Sequence, residues 1–200
     1  MKTNSQSDLS LPTASKEDLR RTLLDLIVKY AYREGDFVLS SGARSSYYIN
    51  CKEVTLRAEG ALIIGRLILD VLPENTDAVA GLTLGADPIV SSVSVVSALS
   101  KRPIPALIIR KQAKGHGTKA YIEGPSLAEN AAVIVLEDVV TTGKSALLAV
   151  ERLRDAGYKV SQIIALVDRK QGGKELYESQ KLKFQALFTI EELQGYATSI

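Results

Sequence analysis

The chain has 200 residues, 46% of them hydrophobic and 24% charged, with a formal net charge of +2. That length suits one α/β domain, and the charge is too small to mark a nucleic-acid or membrane-surface binder. No apolar run approaches the roughly 18 residues that span a bilayer, and Cys51 alone cannot form an intrachain disulfide, so a cytoplasmic protein in a reducing compartment is expected.

Residues 1–15 are Ser/Thr-rich, lack the apolar run of a signal peptide and read as a disordered tail, leaving 16–200 as a single domain. Ser15 with Asp18 resembles a capping box, and Leu19, Leu23, Leu26, Ile27 and Tyr30 form a helical stripe that Gly35 would stop. Residues 37–39 and 47–50 read as short strands around the turn Ser40-Ser41-Gly42. A helix from about Ala58 ends before Pro73, residues 78–80 are a strand, and 81–87 are a loop. Pro88 suits the first turn of the next helix. Residues 106–109 form a strand, and a basic loop follows over 110–119. The apolar run 132–136 is of buried-strand type, 143–156 is helical with Gly157 at its end, and 163–167 is another strand. A terminal element carries Phe184, Leu187 and Phe188. Alternating strands and helices predict a mostly parallel central sheet flanked by helices, with a small N-terminal addition.

The stretch Val-Ile-Val-Leu-Glu-Asp-Val-Val-Thr-Thr-Gly-Lys-Ser at 133–145 runs a buried strand into two carboxylates, then into a hydroxyl- and glycine-rich turn that opens a helix. Such a turn points backbone N–H groups at a phosphate, and the helix N-terminus adds positive potential. Gly143 lets the backbone approach closely, while Thr141, Thr142 and Ser145 supply hydroxyl donors. A nucleotide-triphosphate P-loop would need glycine where Asp138 stands, so that reading fails. Glu137 and Asp138 beside a phosphate nest make sense if a ribose lies between them. Its hydroxyls can donate to the carboxylates, which can also help hold Mg²⁺ and favour positive charge at the anomeric carbon. Adjacent strand residues alternate in direction, so the two acids do not read as a glycosidase-type facing pair.

From Pro88 to Ile122 there is no acidic residue, while Lys101, Arg102, Arg110, Lys111, Lys114 and Lys119 all fall there. A polyanionic ligand and a solvated basic loop would each explain this. Within the loop, His116, the one histidine of the chain, sits between Gly115 and Gly117. A soft backbone, cations and a proton donor suit a pyrophosphate leaving group.

Together these motifs resemble the type I phosphoribosyltransferases and, within them, the orotate phosphoribosyltransferases. The segment 137–145 is similar to the signature for 5-phosphoribosyl 1-pyrophosphate, and Arg-Lys-x-x-Lys-x-His-Gly at 110–117 is similar to the catalytic lid. Phe-Val-Leu-Ser-Ser-Gly-Ala-Arg-Ser-Ser-Tyr-Tyr at 37–48 resembles the N-terminal hood, and Asp168-Arg169 the base-site strand end. The resemblance implies a type I phosphoribosyltransferase fold with a hood over about 16–56 plus the C-terminal end. It implies transfer of ribose 5-phosphate from the pyrophosphate donor to orotate, with Mg²⁺ bound mainly through the donor. The donor would be held by Arg110, Lys111, Lys114, His116, Glu137, Asp138, Val139, Val140, Thr141, Thr142, Gly143, Lys144 and Ser145, with Lys114, His116 and Asp138 catalytic. Thr141 and Arg169 would contact orotate. Tyr47 and Tyr48 either pack against the base or are strand aromatics of which one is core.

The resemblance also implies a homodimer in which Arg110, Lys114 and His116 serve the partner's site and Lys111 its own, with no nucleic-acid or membrane partner. Some relatives carry lysine where Ser40 stands and Lys-Gly where Ala86-Asp87 stands, so two cations near pyrophosphate are absent here. Two rivals are a phosphoribosyltransferase for another base and a non-catalytic sensor of the donor. Lys111, Lys114 and His116 on a glycine-flanked loop favour catalysis.

Overall fold

The computed structural model describes residues 10–38, 42, 44–114 and 121–200. Helix α1 (Lys16–Leu26) begins where the Ser15 hydroxyl accepts the Asp18 N–H at 3.1 Å. The reciprocal half of a capping box is replaced by a hydroxyl-to-carboxylate bond, Ser15 donating to Asp18 at 2.7 Å. The helix passes into a π-helical turn, Ile27–Ala31, and the chain is extended from Tyr32. Gly35 is therefore not the helix stop. It lies inside β1 (Tyr32–Val38), where pairing with β2 (Arg44–Ile49) is irregular between Glu34 and Phe37. Cross-strand pairing with β2 claims residues that the helical stripe alone left unassigned.

The described end of the expected tail, 10–15, is held by the rest of the domain. Arg66 donates to the carbonyls of Leu11 and Ala14 at 2.6 and 3.0 Å, and both residues pack on the core. Ordered backbone acceptors on this segment were invisible to a composition argument.

After the short helix α2 (Lys52–Thr55) come α3 (Ala58–Val71), β3 (Ala78–Leu82), α4 (Asp87–Leu99, with Pro88 in its first turn) and β4 (Ala106–Ile109). Then follow β5 (Ile122–Glu123), β6 (Ala132–Val140), α5 (Lys144–Asp155), β7 (Lys159–Asp168), α6 (Gly173–Ser179), β8 (Lys183–Thr189) and α7 (Ile190–Ser199). The main sheet has the order β5-β4-β3-β6-β7-β8, parallel throughout except for β5 against β4. Period-two alternation divides the core. Ile134 and Leu136 face α1, α3 and α4, whereas Val133 and Val135 face α5 and Tyr177 of α6. Both faces of the sheet are thus covered, as parallel strands require.

Strand β6 continues past the apolar run because β7 pairs with it as far as Val140 opposite Asp168. Glu137, Asp138, Val139 and Val140 are therefore strand residues, and the turn begins at Thr141. β4 lies on one side of β3 and β6 on the other, so the winding direction reverses between β3 and β6. Ligands of open α/β sheets bind at the carboxyl ends of strands at such a switch point. The C-terminal end packs back onto α1: Arg20 pairs with Glu192 at 2.5 Å and donates to the Leu187 carbonyl, and Tyr196 bonds Asp25.

Candidate active site

At the end of β6 the chain turns through Thr141 and Thr142, and Gly143 opens α5 with φ +82. No side chain of the described residues caps α5 and its first turn holds no acid, so its leading N–H groups and dipole are available to an anion. A Cβ at Gly143 would lie 2.9 Å from the Tyr177 ring, so both the left-handed backbone and the packing call for glycine. The turn, Glu137, Ser145 and Tyr177 enclose a cavity of about 70 Å³. Val139, Val140 and Lys144 line it too. A phosphate group fits a cradle of this kind.

The two acids divide between the faces of the sheet. Glu137 is buried on the α5 side, with Oε2 lacking a hydrogen-bond partner among the described residues. The hydroxyl of Tyr177, lining the same cavity, is likewise unpartnered among them. Burial first, then the neighbouring Asp138 charge, pushes the Glu137 carboxyl well above the usual range; the Lys111 charge opposes this. Asp138 faces the other way. Its Oδ1 accepts its own strand's Val139 N–H at 2.9 Å, and a Cβ on Gly85 would lie 2.7 Å from that oxygen. Gly85 belongs to the β3–α4 loop, and its bare backbone leaves room for the Asp138 carboxylate.

Arg169 stands at the end of β7. Its N–H donates to the Val140 carbonyl at 2.9 Å, which sets it beside Thr141. The residue is 8% exposed, its Nε donates to the Tyr47 hydroxyl at 2.9 Å, and its Nη2 lies 3.4 Å from Ser45 Oγ. No carboxylate of the described residues pairs with it. A buried cation whose protein partners are hydroxyls invites an anionic ligand. Of the two hood tyrosines, Tyr47 is core, while Tyr48 is 43% exposed with its ring 5.7 Å from that of Phe37.

The basic segment is anchored at both ends of its described parts. Arg152 of α5 donates to the carbonyls of Arg110 and Lys111, the latter at 3.0 Å, and stacks 4.0 Å from the Tyr121 ring centroid. Arg110 and Lys114 pair with Glu123 at 3.0 and 3.8 Å. Ser40, Gly115, His116, Gly117 and Lys119 lie outside the described residues. Asp87 accepts the Thr83 hydroxyl at 2.7 Å at the start of α4.

Cradle, acids and Arg169 thus meet at the carboxyl ends of β6 and β7. Sequence reading missed Tyr177, Gly85, Arg152, Glu123 and Ser45. Only Tyr177 carried a usable signal: Gly172-Gly173 followed by the helix formers Lys174, Glu175 and Leu176 announces α6.

The profile of a phosphoribosyl transferase domain matches residues 55–192. The orotate phosphoribosyltransferase of Nostoc sp. is 68% identical over 189 residues, covering 94% of this chain and 92% of that protein. This chain belongs to the orotate phosphoribosyltransferases. The family member of Aquifex aeolicus is 44% identical, covering 87% and 97%. Among solved structures, the orotate phosphoribosyltransferase of Mycobacterium tuberculosis in complex with 5-phospho-alpha-D-ribosyl 1-diphosphate has a TM-score of 0.73 at 32% identity, covering 88% of this chain and 99% of that one. The domain profile begins at residue 55, whereas the relatives of the orotate enzyme family match most of the hood as well.

Proposed function

We propose that this orotate phosphoribosyltransferase transfers the 5-phosphoribosyl group from 5-phosphoribosyl 1-pyrophosphate to N1 of orotate in UMP synthesis. The C1–O bond to pyrophosphate breaks, pyrophosphate leaves with the electron pair, and N1 loses its proton as the C1–N1 bond forms. The observation that carries this reading is the pairing, at adjacent strand ends, of an uncapped helix N-terminus with a buried arginine that has no carboxylate partner among the described residues. The first suits a 5′-phosphate and the second an anionic base, which leaves the ribose beside Glu137 and Asp138 between them.

In this reading, Glu137 and Asp138 accept ribose hydroxyls, and Asp138 favours positive charge at C1. Thr141, Thr142, Gly143, Lys144 and Ser145 hold the 5′-phosphate. Lys111, Lys114, Arg110 and His116 meet pyrophosphate, with His116 a proton donor. Thr141 and Arg169 hold orotate. Among the described residues, no three acidic, histidine or cysteine side chains gather to cage a metal. A hard cation carried on phosphate oxygens needs only one or two carboxylates, so Glu137 and Asp138 fit Mg²⁺ brought in by the donor. Mg²⁺ would there neutralise pyrophosphate charge. The assay is loss of orotate absorbance with donor and Mg²⁺, against uracil, adenine and hypoxanthine. Equal use of another base, or full turnover with chelator, would overturn it.

The site is further proposed to be shared in a two-fold dimer. Lys111 is near enough to its own Glu137 to influence it, whereas Arg110 and Lys114 turn to Glu123 on the sheet edge. Lys114→Ala mixed with Asp138→Ala should regain roughly a quarter of wild-type activity, because half the dimers are hybrids with one intact site each. Subunit exchange without recovery would place lid and cradle in one chain. No helix of the described residues is long and apolar enough to cross a membrane, and the proposed compartment is the cytoplasm.

A further inference from the structure

The guanidinium of Arg169 has two usable edges: a side edge made by Nε and Nη2, and an end made by Nη1 and Nη2. The hood hydroxyls take the side edge, Tyr47 Oη at 2.9 Å from Nε and Ser45 Oγ at 3.4 Å from Nη2. The Arg169 carbon Cζ also lies 4.7 Å from the Tyr47 ring centroid, so one tyrosine both bonds the fork and restricts its plane. Tyr47 is itself fixed. It is buried, its ring centroid is 6.1 Å from that of Tyr32, and it pairs with Glu34 across β1. Ser45 is held by its own bond to the Tyr47 carbonyl at 2.7 Å.

We infer that Tyr47 and Ser45 are positioning residues that occupy the side edge of Arg169 and thereby present its Nη1/Nη2 end to the anionic group of the base. This rests on the reading that Arg169 meets orotate. A guanidinium bound end-on takes a planar carboxylate through two parallel hydrogen bonds, and rotation by either spare degree of freedom would lose one of them. Selectivity for a carboxylated pyrimidine would then come from strand β2 as well as from β7. Both hydroxyls accept from the guanidinium, so neither neutralises it, and its charge stays available to the ligand.

Tyr47→Phe keeps the ring and deletes the hydroxyl. It should raise the Michaelis constant for orotate about tenfold, as expected for one lost bond to a charged group, and leave that for the donor within about twofold. Preference for orotate over uracil should fall in step. Ser45→Ala should do the same more weakly. In an Arg169→Ala background, Tyr47→Phe should add nothing, because the group it positions is gone. An unchanged orotate constant in Tyr47→Phe, with a selective defect in Arg169→Ala, would overturn the inference and leave the orotate reading intact. Equal defects toward both substrates in Arg169→Ala would instead remove the orotate reading itself. Additive effects in the double variant, or a matching donor defect with a lowered melting temperature, would reduce Tyr47 to packing and overturn the inference as well.

Discussion

The proposed phosphate end of the site comes from one uninterrupted segment, β6 running through Thr141 to the first turn of α5, whereas the proposed base end joins Arg169 to Tyr47 and Ser45 across 122 and 124 positions of chain. The first end works mainly through backbone: unspent N–H groups, a left-handed glycine and a helix dipole. The second works through side chains whose partners arrive only when β2 packs against the end of β7. In this proposal local geometry builds the anion cradle by itself, whereas orientation of a planar base takes a long-range clamp. Damage should separate accordingly, donor binding failing at one end and base binding at the other.

The largest expected effect belongs to a residue of neither end. Lys114→Ala should lower turnover roughly 10²–10³-fold, because a cation acting on pyrophosphate as it departs matters most in the transition state. Steady-state kinetics would show kcat falling with both Michaelis constants little changed; a loss confined to donor binding would assign Lys114 to the cradle.

Gly143→Ala tests the backbone end directly. It forces a side chain into φ +82 and against the Tyr177 ring, which should cost about 1–3 kcal/mol of stability. Donor affinity, read by calorimetric titration, should fall, while the Michaelis constant for orotate holds. A parallel fall for both substrates would mean that the two ends are mechanically one.

Glu137→Gln should give the smallest effect and a pH signature. Burial raises the folded-state pKa of Glu137, so the folded protein binds this proton more tightly than the unfolded chain does. The stabilisation is full below the ordinary carboxylate pKa and is lost as pH rises through the raised folded value. Glutamine cannot ionise, so without ligand the variant should melt higher than wild type at about pH 8, and the gap should close at about pH 4. A gap independent of pH would show that neighbouring groups already satisfy the carboxylate.

Much of the fold could be read along the chain. The strand Ala106–Ile109, the helix starting at Ala58 and the first-turn Pro88 all follow from local pattern. Gly35 did not, because cross-strand pairing claimed it; α6, a seven-residue helix too short for a clear apolar stripe, had only Gly172-Gly173 and the helix formers after it to announce it. In the site, the order of acids, hydroxyls and glycine over 137–145 determined the turn that opens α5, since such a turn needs only near neighbours to aim its N–H groups. Tertiary structure alone decided that Val139 and Val140 extend a strand, that Tyr177 lines the cavity at the β6–α5 turn, and that Tyr47 is core while Tyr48 is half exposed. It also decided which edge of Arg169 is taken. Those outcomes depend on which distant strands become neighbours, and sheet order is fixed by packing of both faces rather than by any local run of residues.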